Sequence, residues 1–205
     1  MPELGPQLTS CPHDFIDIPI PIGVSNRHIH LTLEDIEMLF GQGYKLTNIK
    51  NLGQPGEFAA EEVLTVVGPR GVIESVRILG PVRKVTQIEV SMTDAYRLGL
   101  RPPVRESGNV KGTPGVAVVG PLGVVSLEEG VILAARHIHM RPENAKSFLV
   151  EDKQKVRVHV PGERAQVFEN VLVRVSPKYA LEMHVDTDEA NAALLKNGDQ
   201  VRIIH

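Results

Sequence analysis

From Phe15 onward the chain is a succession of short runs rich in valine and isoleucine, punctuated by glycine and proline. Examples are "FIDIPIPIGV", "EEVLTVVGPRG", "VIESVRILGP", "KVTQIEVSM", "GVAVVGPLGVVSL", "EEGVILAARHIHM", "QKVRVHVPG", "ENVLVRVSP" and "DQVRIIH". β-Branched runs at such regular spacing predict strands of a barrel or sandwich. Three stretches predict helices instead: about Leu33–Phe40, Pro142–Phe148 and Asp188–Leu195. Each starts on residues that favour a helix N-terminus, namely Thr32 with Glu34 and Asp35, Pro142 with Glu143, and Thr187 with Asp188 and Glu189. A shorter turn is predicted at Thr93–Asp94. Residues 1–16 carry three prolines and no period, and read as a flexible N-terminal tail.

An Arg-His-Ile-His tetrapeptide occurs twice, with His28 and His137 standing 109 positions apart. The similarity reaches further. "RHIHLTLEDIEML", "QIEVSMTDAYRL", "RHIHMRPENAKSF" and "LEMHVDTDEANAA" share the order strand, polar residue, helix start. Setting Ile36, Ala95, Ala145 and Ala190 in one column places His30, Glu89, His139 and His184 in another. This predicts an internally duplicated chain with a metal-competent side chain at each strand end.

Composition narrows the function. With 42% hydrophobic and 23% charged residues, the chain is that of an ordinary globular protein. A formal net charge of −3 and 4% aromatic residues argue against nucleic acid as a partner. No apolar run approaches a membrane span, and no secretory leader is legible. The single cysteine, Cys11, excludes an intramolecular disulfide and a cysteine-rich zinc site. Without a local cationic context, Cys11 is also a poor nucleophile.

His-x-His on a strand places both imidazoles on one face, roughly 7 Å apart at Cα. Two neutral imidazoles can converge on a divalent ion such as zinc, and a carboxylate such as Glu89 could complete a three-ligand site with an open position. His137 and His139 could do the same with His184. An isolated pair of this kind is otherwise an ordinary strand histidine pair; the repetition is what favours metal. His13, His159 and His205 lack that context and read as solvent-exposed.

Arg83 lies six residues before Glu89. If "RKVTQIE" is one strand, the two face the same side, and an arginine fork there suits a phosphate, or a surface salt bridge. Arg27 and Arg136 alternate with the histidines and read as structural or peripheral. "RESGNVKGTPG" is a glycine-rich loop whose Ser107 could donate to a phosphate, and "NIKNLGQPGEF" reads as a turn-rich excursion. No Walker-type, dinucleotide or G-x-S-x-G pattern occurs.

Together, "IGVSNRHIHLT", "GPVRKVTQIEVS", "ARHIHMRPENA" and "EMHVDTDEANA" resemble the phosphate propanoyltransferase family, zinc-dependent phosphotransacylases associated with bacterial microcompartments. The resemblance runs from about Ile18 to Ile204. It implies a mainly β fold of two small β-barrels with short capping helices. One barrel would comprise residues 17–26 plus 135–205, and the other residues 27–134 with the excursion near 41–61. It further implies two zinc ions, one held by His28, His30 and Glu89, the other by His137, His139 and His184. Arg83 falls on the family's phosphate-binding arginine and Ser107 on a loop serine near the site.

The implied reaction interconverts acyl-CoA plus phosphate with acyl phosphate plus CoA, for an acetyl or propanoyl group. No strong nucleophile stands in these motifs, so direct transfer is expected, with Arg83 holding phosphate and zinc polarising the thioester carbonyl. A zinc-dependent thioester hydrolase and a non-enzymatic, metal-clipped binding module are the rivals. A homodimer is a candidate assembly, and microcompartment association a candidate location. Encapsulated members carry an N-terminal amphipathic helix, and "MPELGPQLTSCPHDF" shows no amphipathic period. A cytoplasmic location is therefore expected.

Overall fold

The computed structural model describes residues 16–204. Cys11, His13, His205 and all but the last residue of the expected tail lie outside the described residues. The first strand, β1 (Ile20–Ser25), turns Ile20 and Ile22 inward and passes through Asn26 and Arg27 into β2 (His28–His30). Helix α1 (Leu33–Phe40) begins at Thr32, whose Oγ1 accepts from the Asp35 amide at 3.1 Å. Its Ile36 and Leu39 share one buried face. Gly41, at φ 105°, ends it, a backbone state that favours glycine.

β3 (Asn48–Asn51) is an exposed edge strand on β4 (Phe58–Val67). Along β4, Ala60, Glu62, Leu64 and Val66 face the core in strict alternation. Glu62 is tolerated there because its carboxylate accepts from the Tyr44 hydroxyl at 2.9 Å and the Thr47 amide at 3.0 Å. Next come β5 (Val72–Gly80), β6 (Gln87–Glu89) and α2 (Met92–Leu98), the last capped by the Ser91 hydroxyl. β7 (Val104–Arg105), β8 (Ala117–Val119), β9 (Val124–Ser126) and β10 (Val131–Ala134) complete this half. Ala135 and Arg136 then lead into β11 (His137–Met140), α3 (Pro142–Ser147) and β12 (Lys155–Val160). The chain finishes with β13 (Gln166–Val175), β14 (Glu182–Asp186), α4 (Thr187–Ala193) and β15 (Gln200–Ile204).

Among the described residues the strands form two sheets. One is a closed barrel in the order β1-β14-β11-β13-β12-β15. The other has nine strands in the order β7-β10-β6-β2-β5-β4-β8-β9, with β3 added on β4, and curls into a half-barrel. The class is thus mainly β with short helices, as the residue pattern and the family resemblance predict. Each sheet encloses its own core. Ile20, Ile22, Ile138, Met140, Phe148 and Val158 belong to the barrel; Ile29, Leu31, Ile36, Ile78 and Ile88 belong to the half-barrel. Each such side chain contributes roughly 1.5–3 kcal/mol through burial. Among the described residues, no helix is long and apolar enough to cross a membrane.

The chain crosses between sheets at equivalent points of the repeat. β1 lies in the barrel and β2 in the half-barrel; β10 lies in the half-barrel and β11 in the barrel. The duplication is therefore visible in the strand register. β1 runs parallel to β14 with Gly23 beside His184, and β10 runs parallel to β6 with Ile132 beside Glu89. Gly23 and Ile132 are related by the same 109-position offset as the histidine pairs. Ile36, Ala95, Ala145 and Ala190, the column that aligned the four segments, are all buried.

Local expectations change in five places. Residues 81–86 are not part of a strand, so Arg83 and Glu89 do not share one; β6 begins only at Gln87. The turn expected at Thr93–Asp94 is a helix, α2, because Ser91 caps it and Ala95 and Leu98 bury one face. Thr187 lies inside α4; its cap is Asp186, whose carboxylate accepts from the Glu189 amide at 2.8 Å. The excursion near 41–61 contains β3, which has no alternation to betray it because all its residues are exposed. His159 is half-buried in β12 rather than exposed.

Candidate functional site

β2 and β6 pair antiparallel, with His28 opposite Glu89, Ile29 opposite Ile88 and His30 opposite Gln87. The period of two sends Ile29 into the core and keeps both histidines on the Glu89 side. His28 Nδ1 lies 2.8 Å from the Asn26 carbonyl oxygen, and His30 Nδ1 lies 3.1 Å from that of Leu79. A carbonyl only accepts, so each Nδ1 carries a proton, and in the neutral ring Nε2 is left with the lone pair. Those two Nε2 atoms stand 3.5 Å and 4.0 Å from the Glu89 carboxylate. One donor atom from each of the three residues falls within 4.8 Å of the others, a geometry able to hold a metal ion.

The electrostatics favour the ligand forms. Burial, then the neighbouring His28, lowers the His30 pKa to about 4, so it is neutral at physiological pH. Burial pushes the Glu89 carboxyl up, but His28, His30 and His137 pull it below the ordinary value, so it is ionised. Gln87 braces that carboxylate, its Nε2 donating to Glu89 Oε1 at 2.6 Å. The same Nε2 donates to Ser107 Oγ at 2.8 Å, and Gln87 Oε1 accepts from the Gly108 amide at 2.5 Å. Ser107 thus belongs to the support of Glu89.

The second repeat builds a related cluster. β11 and β14 pair antiparallel with His137 opposite His184 and His139 opposite Glu182. His137 Nδ1 lies 2.8 Å from the Ala135 carbonyl oxygen, the same arrangement as His28 with Asn26. Ring centroids are 4.6 Å apart for His137 and His139, 5.2 Å for His137 and His184, and 5.1 Å for His139 and His184. Burial, then the neighbouring His184, lowers the His137 pKa to about 4. Burial likewise drives His139 far below its ordinary value. His139 stacks on Tyr179 at 4.2 Å. Both ring nitrogens of His139 are buried without a hydrogen-bond partner, while His184 Nε2 lies 2.9 Å from the Glu182 carboxylate. The unpartnered His139 nitrogens, beside the rings of His137 and His184, are donors that a bound divalent cation would satisfy.

A single cavity joins the clusters, lined by His28 and Glu89 on one side and His137 and His184 on the other. Arg27 also lines it, while its guanidinium grips Asp94 through Nε and Nη2, each at 2.8 Å. The equivalent Arg136 pairs with Glu189 at 3.1 Å. These two pairs tie α2 and α4 to the crossover segments. Both arginines are structural, as expected, but Arg27 is not peripheral.

Arg83 reaches the first cluster from the loop before β6. Its amide donates to the Leu31 carbonyl at 2.8 Å, and Nη2 meets Glu57 Oε1 at 2.6 Å. Its charge helps to lower the His30 pKa, and its Nε is buried without a partner. Several neighbours were missed from the sequence. Gln87 and Glu182 each sit two residues before a named site residue, so alternation alone could have placed them on the same face. Glu57, Gln54 and Tyr179 come from loops distant in sequence and had no comparable signal.

A profile of the phosphate propanoyltransferase family matches residues 21–196. A phosphate propanoyltransferase of Thermotoga maritima is 59% identical over 186 residues, covering 90% of this chain and 89% of its own. One from Priestia megaterium is 54% identical over 180 residues, covering 88% and 83%. One from Salmonella typhimurium is 53% identical over 176 residues, covering 85% and 83%. With this similarity along nearly the whole chain, the protein belongs to the phosphate propanoyltransferase family.

Proposed function

We propose that the chain transfers an acyl group, acetyl or propanoyl, reversibly between CoA and phosphate. The observation that carries this reading is one cavity lined from both histidine clusters, the first of which brings three metal-competent donor atoms within 4.8 Å of one another, with Arg83 beside it. In this reading His28, His30 and Glu89 hold one zinc ion, and His137, His139 and His184 hold a second. Zinc bound there supplies Lewis acidity towards the thioester carbonyl and favours the thiolate form of CoA.

The chain's own residues supply the rest. Arg83 turns its fork from Glu57 to phosphate, and its unpartnered Nε adds a second donor. Glu89, braced by Gln87, keeps the first cluster fixed while reactants exchange. A phosphate oxygen attacks the carbonyl carbon, the new C–O bond forms, and the C–S bond breaks. The hydrogen phosphate proton ends on the departing thiol, giving acyl phosphate and CoA. Holding both reactants in one cavity makes the encounter effectively intramolecular. The division into residues 17–26 plus 135–205 and residues 27–134 then places the reacting groups where the two units meet.

An assay of acyl-CoA with and without phosphate tests the reading. CoA release that requires phosphate and yields stoichiometric acyl phosphate supports it. Release at the same rate without phosphate would mean a thioester hydrolase, and no release at all a binding module.

A further inference from the structure

The two clusters are braced differently. Gln87, the support of Glu89, is held by Ser107 and Gly108 from the same half of the chain. The residue in the corresponding place of the second cluster is Glu182, opposite His139 as Gln87 is opposite His30. Its Oε2 lies 2.9 Å from His184 Nε2. The group that holds Glu182 comes from a loop of the half-barrel. Gln54, on the loop between β3 and β4, donates from Nε2 to Glu182 Oε2 at 3.0 Å. The same amide exchanges bonds with the backbone of Ala180, to its oxygen and from its nitrogen, both at 3.2 Å. Gln54 is 3% exposed, so these bonds are shielded from water.

The surroundings leave room for that carboxylate and little else. A Cβ on Gly53 would stand 2.5 Å from Glu182 Oε2, and one on Gly23 would stand 2.9 Å from Oε1. Gly23 is the ladder neighbour of His184 in β1. Two glycines and a buried amide therefore define one position for Glu182 beside the His184 ring.

We propose that Gln54 is a positioning residue for the second cluster, fixing Glu182 so that Glu182 sets the orientation of His184. The half-barrel thereby completes a site whose histidines all lie in the barrel. The loop also carries Glu57, which pairs with Arg83, so one loop contacts a residue at each cluster. The metal part of this proposal rests on reading the second cluster as a zinc site.

Histidine-selective 15N NMR of the metal-free full chain reads the ring directly. Gln54→Leu and Glu182→Gln should shift the His184 ring resonances in common and leave those of His28 and His30 in place. An unmoved His184 in folded Gln54→Leu overturns the proposal. If Gln54→Leu fails to fold, Glu182→Gln and Gly53→Ala decide it by the same signal. In a chelator titration of the zinc-loaded chain, Gln54→Leu should release one of two zinc equivalents about tenfold more readily, and unchanged release of both overturns the metal part. Fewer than two equivalents in the unmodified chain would sink the two-zinc reading, leaving the ring resonances to decide the positioning role.

Discussion

His28 and Glu89 are opposite partners in an antiparallel ladder, and their reactive atoms meet at 3.5 Å because the strand pairing itself delivers them. The carboxylate is the only negatively charged member of the first cluster. Glu89→Gln should keep the ladder and the Gln87 contact but remove the charge. Zinc affinity at one site is expected to fall by about 100-fold or more, with turnover falling alongside. Metal analysis after dialysis against a weak chelator checks this; full retention would remove Glu89 from the ligand set.

Arg83 is expected to act on phosphate and not on metal. Arg83→Ala should lower phosphate-dependent turnover by about 100-fold or more while metal content stays at the wild-type level. Loss of zinc in that variant would contradict the assigned role. Glu57→Gln removes the anion that competes for the same guanidinium, so the KM for phosphate should drop by roughly 2–5-fold, the scale of a half-exposed ion pair.

Acid should destabilise the metal-free chain. His30 and His137 are each lowered to about 4, so the unfolded chain, with its ordinary histidines, binds protons more readily. Their preference for the fold is therefore complete above about pH 6.5 and is lost as pH falls towards 4. On the order of 3 kcal/mol for each is an upper bound on that loss. Urea midpoints of chelated protein at pH 7.5 and pH 5 measure it. A flat profile would show that the rings are not buried neutral.

Arg27 offers a test of the crossover. Asp94 is buried and both its carboxylate oxygens are taken by that guanidinium. Arg27→Ala should cost about 1–3 kcal/mol, mainly from the carboxylate left unpaired, and Arg27→Ala combined with Asp94→Ala should recover part of it. A double-mutant cycle in urea checks the coupling.

Ser25 lines the cavity with its hydroxyl 3.4 Å from His184 Nδ1. It is the group best placed to form an acyl-enzyme if transfer were covalent. Direct transfer predicts that Ser25→Ala retains turnover within about tenfold. A loss of 1,000-fold, or an acyl group trapped on Ser25 by mass spectrometry, would replace the direct route.

Much of the site was legible because its grammar is local. His28 and His30 share a face through strand periodicity, and the repeat exposed Glu89 and His184 as partners in the same column. Arg83 shows where that logic stops. Counting an even number of residues back from Glu89 presumed an unbroken strand, yet the chain enters β6 only at Gln87. Arg83 lies instead where a backbone bond to Leu31 and an ion pair with Glu57 put it. Glu57 is separated from it by the whole of β4 and β5, so no local pattern connects them.

By itself the sequence determined the strand-rich class, the duplication, the two His-x-His pairs and most helix starts, since alternation, capping and repetition act over a few residues. The three-dimensional packing added that the chain crosses between its sheets beside each pair and that both clusters open on one cavity. It alone brought Gln54, on the loop between β3 and β4, within hydrogen-bond reach of Glu182. Those relations come from strands paired across more than a hundred residues, such as Gly23 with His184. Such pairings are set by burying two cores and satisfying every ladder at once, which no short stretch of chain encodes.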